Sequence, residues 1–134
     1  MPLLLVDSNV LVDVFEDDPD WADWSIRQLR AQSQVYELAI NPVIYAELSF
    51  TFSSVETLDQ TLADLGLVFH ELPRPALFLA GKAYARYRRL GGTKLNVLAD
   101  FFIGAHAAVA GARLLTRDAR RYRSYFTSVE LITP

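Results

Sequence analysis

Short apolar runs recur along the chain, separated by segments in which apolar residues return every three or four positions. This alternation predicts strands interleaved with helices. The runs Leu3–Val6, Glu37–Ile40, Leu67–Leu72, Arg113–Thr116 and Val129–Ile132 are bounded by polar or turn residues and read as strands. Their Leu, Val and Ile content suits a mostly parallel sheet covered on both faces. Helix start signals stand between them: Asp20 with Asp23 at a Trp21/Trp24 segment, Asn41-Pro42 as cap and first helical residue, and Ser53-x-x-Glu56 as a capping box. Two further helices run from about Pro75 to Leu90, closed by Gly91-Gly92, and from about Val97 to Ala110, closed by Gly111. The pattern predicts an α/β fold, a mostly parallel central sheet flanked by helices. With no linker, repeat or low-complexity tract in it, residues 1–134 read as a single domain.

At 51% hydrophobic and 22% charged residues the chain is neither disordered nor collagen-like. It has no Cys, which excludes a disulfide framework, a thiolate nucleophile and a Cys-based zinc site. Only His70 and His106 remain as nitrogen ligands, so a metal here must be held by oxygen. The opening run Pro2–Val6 stops at Asp7, too short for a signal peptide. The stretch Phe101–Leu115 is interrupted by His106 and Arg113 and falls short of the roughly 20 apolar residues that span a bilayer. A soluble cytoplasmic protein with no membrane contact is expected. The net charge of -3 hides an asymmetry: residues 1–70 hold 12 acidic and 2 basic side chains, whereas residues 71–134 hold 4 and 11. The second half alone has the character of a phosphate-facing surface.

In an open α/β sheet, ligands bind beyond the carboxyl ends of the strands near a switch in strand order. Four acids from four segments fall on that rim. Asp7 follows the first strand and Asp118 follows the strand ending at Thr116. Glu47 lies in the second turn of the helix begun by Asn41-Pro42, and Asp100 lies near the start of the helix that leads back into 113–116. Each has a plainer use: Asp7 and Asp118 suit turns or caps, and Glu47 suits an exposed helix face. Asp100 is harder to dismiss, because it sits among Leu98, Ala99, Phe101, Phe102 and Ile103, where a carboxylate is costly unless paired or metal-bound. Two like charges about 4 Å apart repel by roughly 4 kcal/mol at an effective dielectric near 20, so the convergence calls for a cation. Carboxylate ligation selects Mg²⁺ or Mn²⁺ over zinc, and such an ion suits phosphodiester hydrolysis.

The segments Asp7-Ser8-Asn9-Val10-Leu11, Asn41-Pro42-Val43-Ile44-Tyr45-Ala46-Glu47, Asp100-Phe101-Phe102-Ile103-Gly104-Ala105-His106-Ala107 and Leu114-Leu115-Thr116-Arg117-Asp118 together resemble a PIN-domain ribonuclease. More narrowly, they resemble the VapC toxins of bacterial toxin–antitoxin systems. The resemblance extends to Tyr122-Arg123-Ser124-Tyr125-Phe126 and so covers nearly the whole chain. Each motif is weak alone, but their order and spacing are specific. The resemblance implies a PIN-like three-layer fold and a metal-dependent endoribonuclease that cuts structured RNA. It also implies inhibition by a cognate antitoxin and, usually, a homodimer. Asp7, Glu47, Asp100 and Asp118 would be its catalytic and metal-binding acids. Two departures, Ala99 and Thr127 where relatives commonly carry Pro, touch none of these acids.

Thr116 can hydrogen-bond a ligating water or carboxylate, while Ser8 and Asn9 can orient Asp7 or offer donors at a helix start; simple capping is the competing use. Lys82, Arg86 and Arg89 form one basic stripe on their helix, read as RNA-binding with a solvated face as the alternative. Arg117 joins them as a candidate substrate contact. Lys94, Arg120, Arg121 and Arg123, with Tyr122 and Tyr125 interleaved, extend the pattern toward base stacking. His106 is rotated about 240° from Asp100 on its helix and reads as structural. His70 lies in a strand with no visible partner. Asp13, Glu16, Asp17, Asp18, Asp20 and Asp23 read as a solvated acidic stretch, and Trp21 with Trp24 as packing or a partner-helix face beside an apolar groove.

The rival functions are a phosphatase with an Asp nucleophile, an acidic-pocket receiver, and a non-catalytic PIN-like RNA- or protein-binding module. The first generally needs a carboxylate two residues after Asp7, where Asn9 stands. The others are favoured by loss of part of the acid set, which is complete.

Overall fold

A computed structural model describes residues 1–94 and 96–134. Strands β1 (Leu3–Val6), β2 (Glu37–Ile40), β3 (Val68–Phe69), β4 (Arg113–Leu115) and β5 (Leu131–Ile132) form one sheet in the order β3-β2-β1-β4-β5, every pair parallel. Successive side chains of a strand point to opposite faces, and Leu4, Leu5 and Val6 are all fully buried, so helices cover both faces of the sheet. Helices α1 (Ser8–Phe15), α2 (Ala22–Gln32), α3 (Pro42–Leu48), α4 (Val55–Asp64), α5 (Arg74–Arg89), α6 (Leu98–Ala110) and α7 (Arg120–Tyr125) supply that cover, with a 3₁₀ turn at Ser49–Thr51. No described helix is long and apolar enough to cross a membrane.

The local chemistry explains where the elements begin. Asn41 Oδ1 accepts the Ile44 N–H at 2.9 Å and Pro42 opens α3, as the sequence predicts. The capping box expected at Ser53 and Glu56 is displaced by one residue: Ser54 caps α4, its Oγ accepting the Thr57 N–H at 3.1 Å. Ahead of α2, Asp18 rather than Asp20 organises the turn, its Oδ1 accepting the N–H groups of Asp20 and Trp21 at 2.9 Å each. The predicted strand Leu67–Leu72 pairs only at Val68 and Phe69, because β3 is an edge strand with one neighbour. The predicted Val129–Ile132 likewise shortens to Leu131–Ile132.

The core centres on α6, which is buried on most of its circumference through Phe101, Ile103, Gly104, Ala105, His106 and Ala107. Gly104 is required there: the Phe126 ring occupies the place a Cβ would take. Gly111, at φ 63°, ends the helix in the left-handed conformation. Phe101 packs against the rings of Tyr84, Tyr87, Tyr125 and Phe126 at centroid separations of 5.2–6.0 Å, joining α5, α6 and α7. Truncating such a ring costs about 3–5 kcal/mol, so the start of α6, and with it Asp100, is firmly placed.

Candidate active site

The strand order reverses at β1: β2 and β3 lie to one side, β4 and β5 to the other. Chain segments leaving the carboxyl ends of β1 and β4 diverge there and open a crevice. Asp7 leaves β1 into α1 and is buried; although it stands at the cap position, its side chain makes no capping hydrogen bond. Its Oδ2 instead accepts the hydroxyls of Tyr122 at 2.8 Å and Thr116 at 2.9 Å. Ser8 Oγ donates to Glu47 Oε1 at 2.9 Å and lies 3.5 Å from Asp7 Oδ1, which links the start of α1 to α3. The Tyr122 hydroxyl also lies 3.5 Å from Asp100 Oδ1. Asp7, Glu47 and Asp100 therefore meet through two hydroxyl groups.

The electrostatics record the same convergence. Burial first, then the charges of Asp7 and Glu47, push the Asp100 carboxyl up to about 7, with Arg121 opposing and Asp118 adding to the rise. Burial raises Glu47, aided by the charge of Asp7 and opposed by the Ser8 hydrogen bond. Asp7 is raised by burial against the donors Tyr122, Thr116 and Ser8. Three carboxylates crowded in a low-dielectric crevice are a repulsive set that a cation relieves.

Asp118 is less engaged. Its side chain is 55% exposed and pairs with Arg120 at 3.3 Å, which holds its carboxyl below the usual range. It shares with Asp100 a polar cleft of about 130 Å³, also lined by Lys94, Arg120 and Arg121. Among the described residues no three His, Asp or Glu side chains already stand close enough to grip a metal ion. The donor set nevertheless fits a hard divalent cation in kind, being carboxylate alone. Neither histidine is free to join it: His106 Nδ1 is 3.1 Å from Asn41 Nδ2, with burial and the nearby His70 charge lowering its pKa, and His70 pairs with Glu37.

A PIN domain family model matches residues 4–126. The chain belongs to the PIN domain family. No curated protein sequence matches it. Solved structures similar to this PIN domain include VapBC2 from Rickettsia felis bound to a DNA fragment from their promoter, at TM-score 0.74 and 19% identity over 98% of this chain and 98% of that one. DNA-bound VapBC from Salmonella typhimurium has TM-score 0.72 and 17% identity, covering 99% of this chain and 98% of that one. VapBC-1 from nontypeable Haemophilus influenzae has TM-score 0.72 and 16% identity, covering 98% and 97%. At these identities the likeness carries the shared fold.

Within this PIN domain the predicted residues separate into groups. Thr116 is a hub, as its position suggests: its hydroxyl donates to Asp7 and accepts the Asp118 N–H at 3.2 Å and Asn9 Nδ2 at 3.3 Å. Asn9 Oδ1 accepts the Arg117 N–H at 3.2 Å, so Asn9 fixes the loop of Asp118 rather than Asp7 itself. Lys82, Arg86 and Arg89 are exposed along α5 and make no ion pair among the described residues, while Arg86 rests 5.6 Å from the Tyr125 ring centroid. Arg117 stands apart from them. Its guanidinium pairs with Asp13 at 2.8 and 3.0 Å and lies over the Trp21 ring, so it is spent inside the fold.

That pairing corrects the solvated reading of Asp13, which is buried and also accepts the Ser25 hydroxyl at 3.2 Å. The expectation that His70 lacks a partner is corrected by Glu37 Oε1 at 3.0 Å. Trp21 and Trp24 pack edge-on at 6.1 Å and are half-buried, as the packing reading expects; among the described residues the large apolar side chains left exposed include Phe50, at 93%, and Phe78. Tyr122 is the residue that the sequence places among stacking aromatics and the structure places between the acids. Its one sequence signal is its position four residues after Asp118, on the short helix that leaves β4.

Proposed function

We propose that the protein is a Mg²⁺- or Mn²⁺-dependent endoribonuclease of the VapC type, the toxin of a type II toxin–antitoxin pair. The observation that carries this reading is the junction of Asp7, Glu47 and Asp100 at the sheet's switch point, with Asp100 raised to about 7 by burial and by its two neighbours. The three carboxylates would hold the ion, and Asp118 stands at the open side of the crevice to join them or to orient water. The ion, when bound, would polarise a phosphodiester and lower the pKa of an attacking water. The chain's own part is to exclude bulk solvent with Tyr122 and Thr116, to hold Asp7 and Glu47 through Ser8, and to deliver the RNA backbone along Lys82, Arg86 and Arg89. Hydrolysis adds water across one P–O ester bond, leaving a phosphate on one RNA end and a hydroxyl on the other.

An antitoxin partner is supported by the fold shared with the VapBC complexes and by a groove of about 350 Å³ beside Glu47, lined by Val12, Phe50 and Thr51 among others. A partner segment seated there would lie against Glu47 and Ser8 at the edge of the acid cluster. A homodimer follows only from the family resemblance. The test is cleavage of RNA by purified protein with Mg²⁺ or Mn²⁺ and its abolition by EDTA; cleavage persisting in saturating EDTA would sink the metal-dependent reading. Growth arrest on expression alone, relieved by the product of an adjacent reading frame, tests the toxin role.

A further inference from the structure

Asp7 presents two unequal oxygens. Oδ2 accepts Tyr122 at 2.8 Å and Thr116 at 2.9 Å, which occupies both of its lone-pair directions. Among the described side chains Oδ1 meets only Ser8 Oγ, at 3.5 Å, and the single Ser8 proton has a better acceptor in Glu47 Oε1 at 2.9 Å. Oδ1 is thus the Asp7 oxygen left for a cation. The single Tyr122 proton likewise goes to the nearer acceptor, Asp7, so its phenol oxygen stands between Asp7 and Asp100 as a neutral spacer. The tyrosine cannot drift from that place, being 1% exposed on α7, with the Phe126 N–H donating to its carbonyl at 2.8 Å.

We propose that Tyr122 is a positioning residue of the metal centre: its hydroxyl, on Asp7 Oδ2 and 3.5 Å from Asp100 Oδ1, turns Asp7 Oδ1 toward the cation and sets the spacing of the two carboxylates. This rests on the reading of the acids as a metal site. Partners that orient ligands in this way typically govern metal affinity 10- to 100-fold. Removing the hydroxyl leaves Asp7 Oδ2 held by Thr116 alone, and the cation then meets a less firmly oriented carboxylate that must be ordered on binding.

The test is Tyr122→Phe, with Mn²⁺ binding by calorimetry, melting in EDTA, and RNA cleavage across a Mn²⁺ titration. The expected result is Mn²⁺ affinity about ten-fold weaker, a folded metal-free protein, and cleavage that returns toward wild type at raised Mn²⁺. A merely structural tyrosine would give a lower melting temperature with unchanged Mn²⁺ affinity, and equal affinity overturns the proposal. Wild-type protein that binds no Mn²⁺ would overturn the metal reading itself, a result visible before any variant is made. If the Phe variant does not fold, 3-fluorotyrosine placed at position 122 of the full chain decides. Its ¹⁹F signal should move on adding Mg²⁺ and saturate with the calorimetric curve, and a signal that stays still overturns the proposal.

Discussion

Arg117 grips Asp13 through two hydrogen bonds, Nε to Oδ2 at 2.8 Å and Nη2 to Oδ1 at 3.0 Å, and Asp13 is 3% exposed. The pair ties the loop between Thr116 and Asp118 to α1, and Ser25 brings α2 into the same contact. Removing one partner of a buried pair leaves the other charge uncompensated, at a cost of about 3–5 kcal/mol. Arg117 keeps 31% of its side chain exposed, so water can partly solvate it and the lower end applies. Arg117→Ala should therefore lose about 3 kcal/mol in a denaturant melt. Arg117→Lys should recover only part, since an ammonium lacks the forked geometry. The salt slope of RNA binding should not move. A stable Arg117→Ala protein with a reduced slope would return Arg117 to the RNA surface.

The α5 stripe makes the opposite prediction. Reversing Arg86 and Arg89 to Glu should lower melting only modestly: both side chains are exposed, but they stand in the last turn of α5, where cations suit the helix dipole, and Arg86 rests on the Tyr125 ring. RNA affinity should fall, and the slope of log K against log salt should flatten by about one for each phosphate no longer neutralised. Titrating RNA binding between low and physiological salt reads this directly. An unchanged slope would assign the stripe to solvent or to a subunit contact.

The contrast between Arg117 and Arg86 marks what a sequence can hold. Periodicity places β1, β2 and α6, because burial dictates their residue types and spacing. It places the acids too, since strand ends and helix starts fix where Asp7, Glu47 and Asp100 emerge. It does not say which cation meets which anion. Arg117 looks like its neighbours Arg120 and Arg121, and only the packing of α1 and α2 beneath it supplies Asp13. Tyr122 fails for the same reason: an aromatic in a basic run suggests stacking, whereas its burial and its donor role come from α7 folding back over the crevice. The displaced cap at Ser54 is a smaller case, where Ser53 and Ser54 offer the same chemistry and backbone conformation selects one.

The link between Asn41 and His106 should be structural. Asn41 caps α3 with its oxygen and meets the His106 ring with its amide, and both residues are buried. Asn41→Ala removes a helix cap and leaves the ring nitrogen unsatisfied, so a loss of about 2–3 kcal/mol is expected. Mg²⁺-induced stabilisation should persist, since no carboxylate is removed. A variant that melts like wild type would show that α3 does not depend on this cap.

Asp100 supports the sharpest test, because its two roles give opposite signs. Its carboxyl is raised to about 7 in the fold, against an ordinary value of 3.8. The folded state therefore binds its proton more tightly than the unfolded chain does. In metal-free protein that contribution to stability is fully present below about 4 and is lost as pH rises through about 7. Asp7 and Glu47 are raised as well and act in the same direction. Melting in EDTA should thus fall between pH 4 and 7, and Asp100→Asn should flatten that fall and raise the melting temperature at pH 8 by a few degrees, about what a 1 kcal/mol change gives at this size. Cleavage should drop at least about 100-fold, at or beyond the upper end of the losses seen for groups that merely orient ligands. The rise in melting temperature on adding Mg²⁺ should shrink with it, by mass action. A carboxylate that caps α6 or pairs with Arg121 predicts the reverse: a less stable variant whose Mg²⁺ response is intact. An Asp100→Asn protein that is destabilised at pH 8 and still cleaves RNA would remove Asp100 from the metal site.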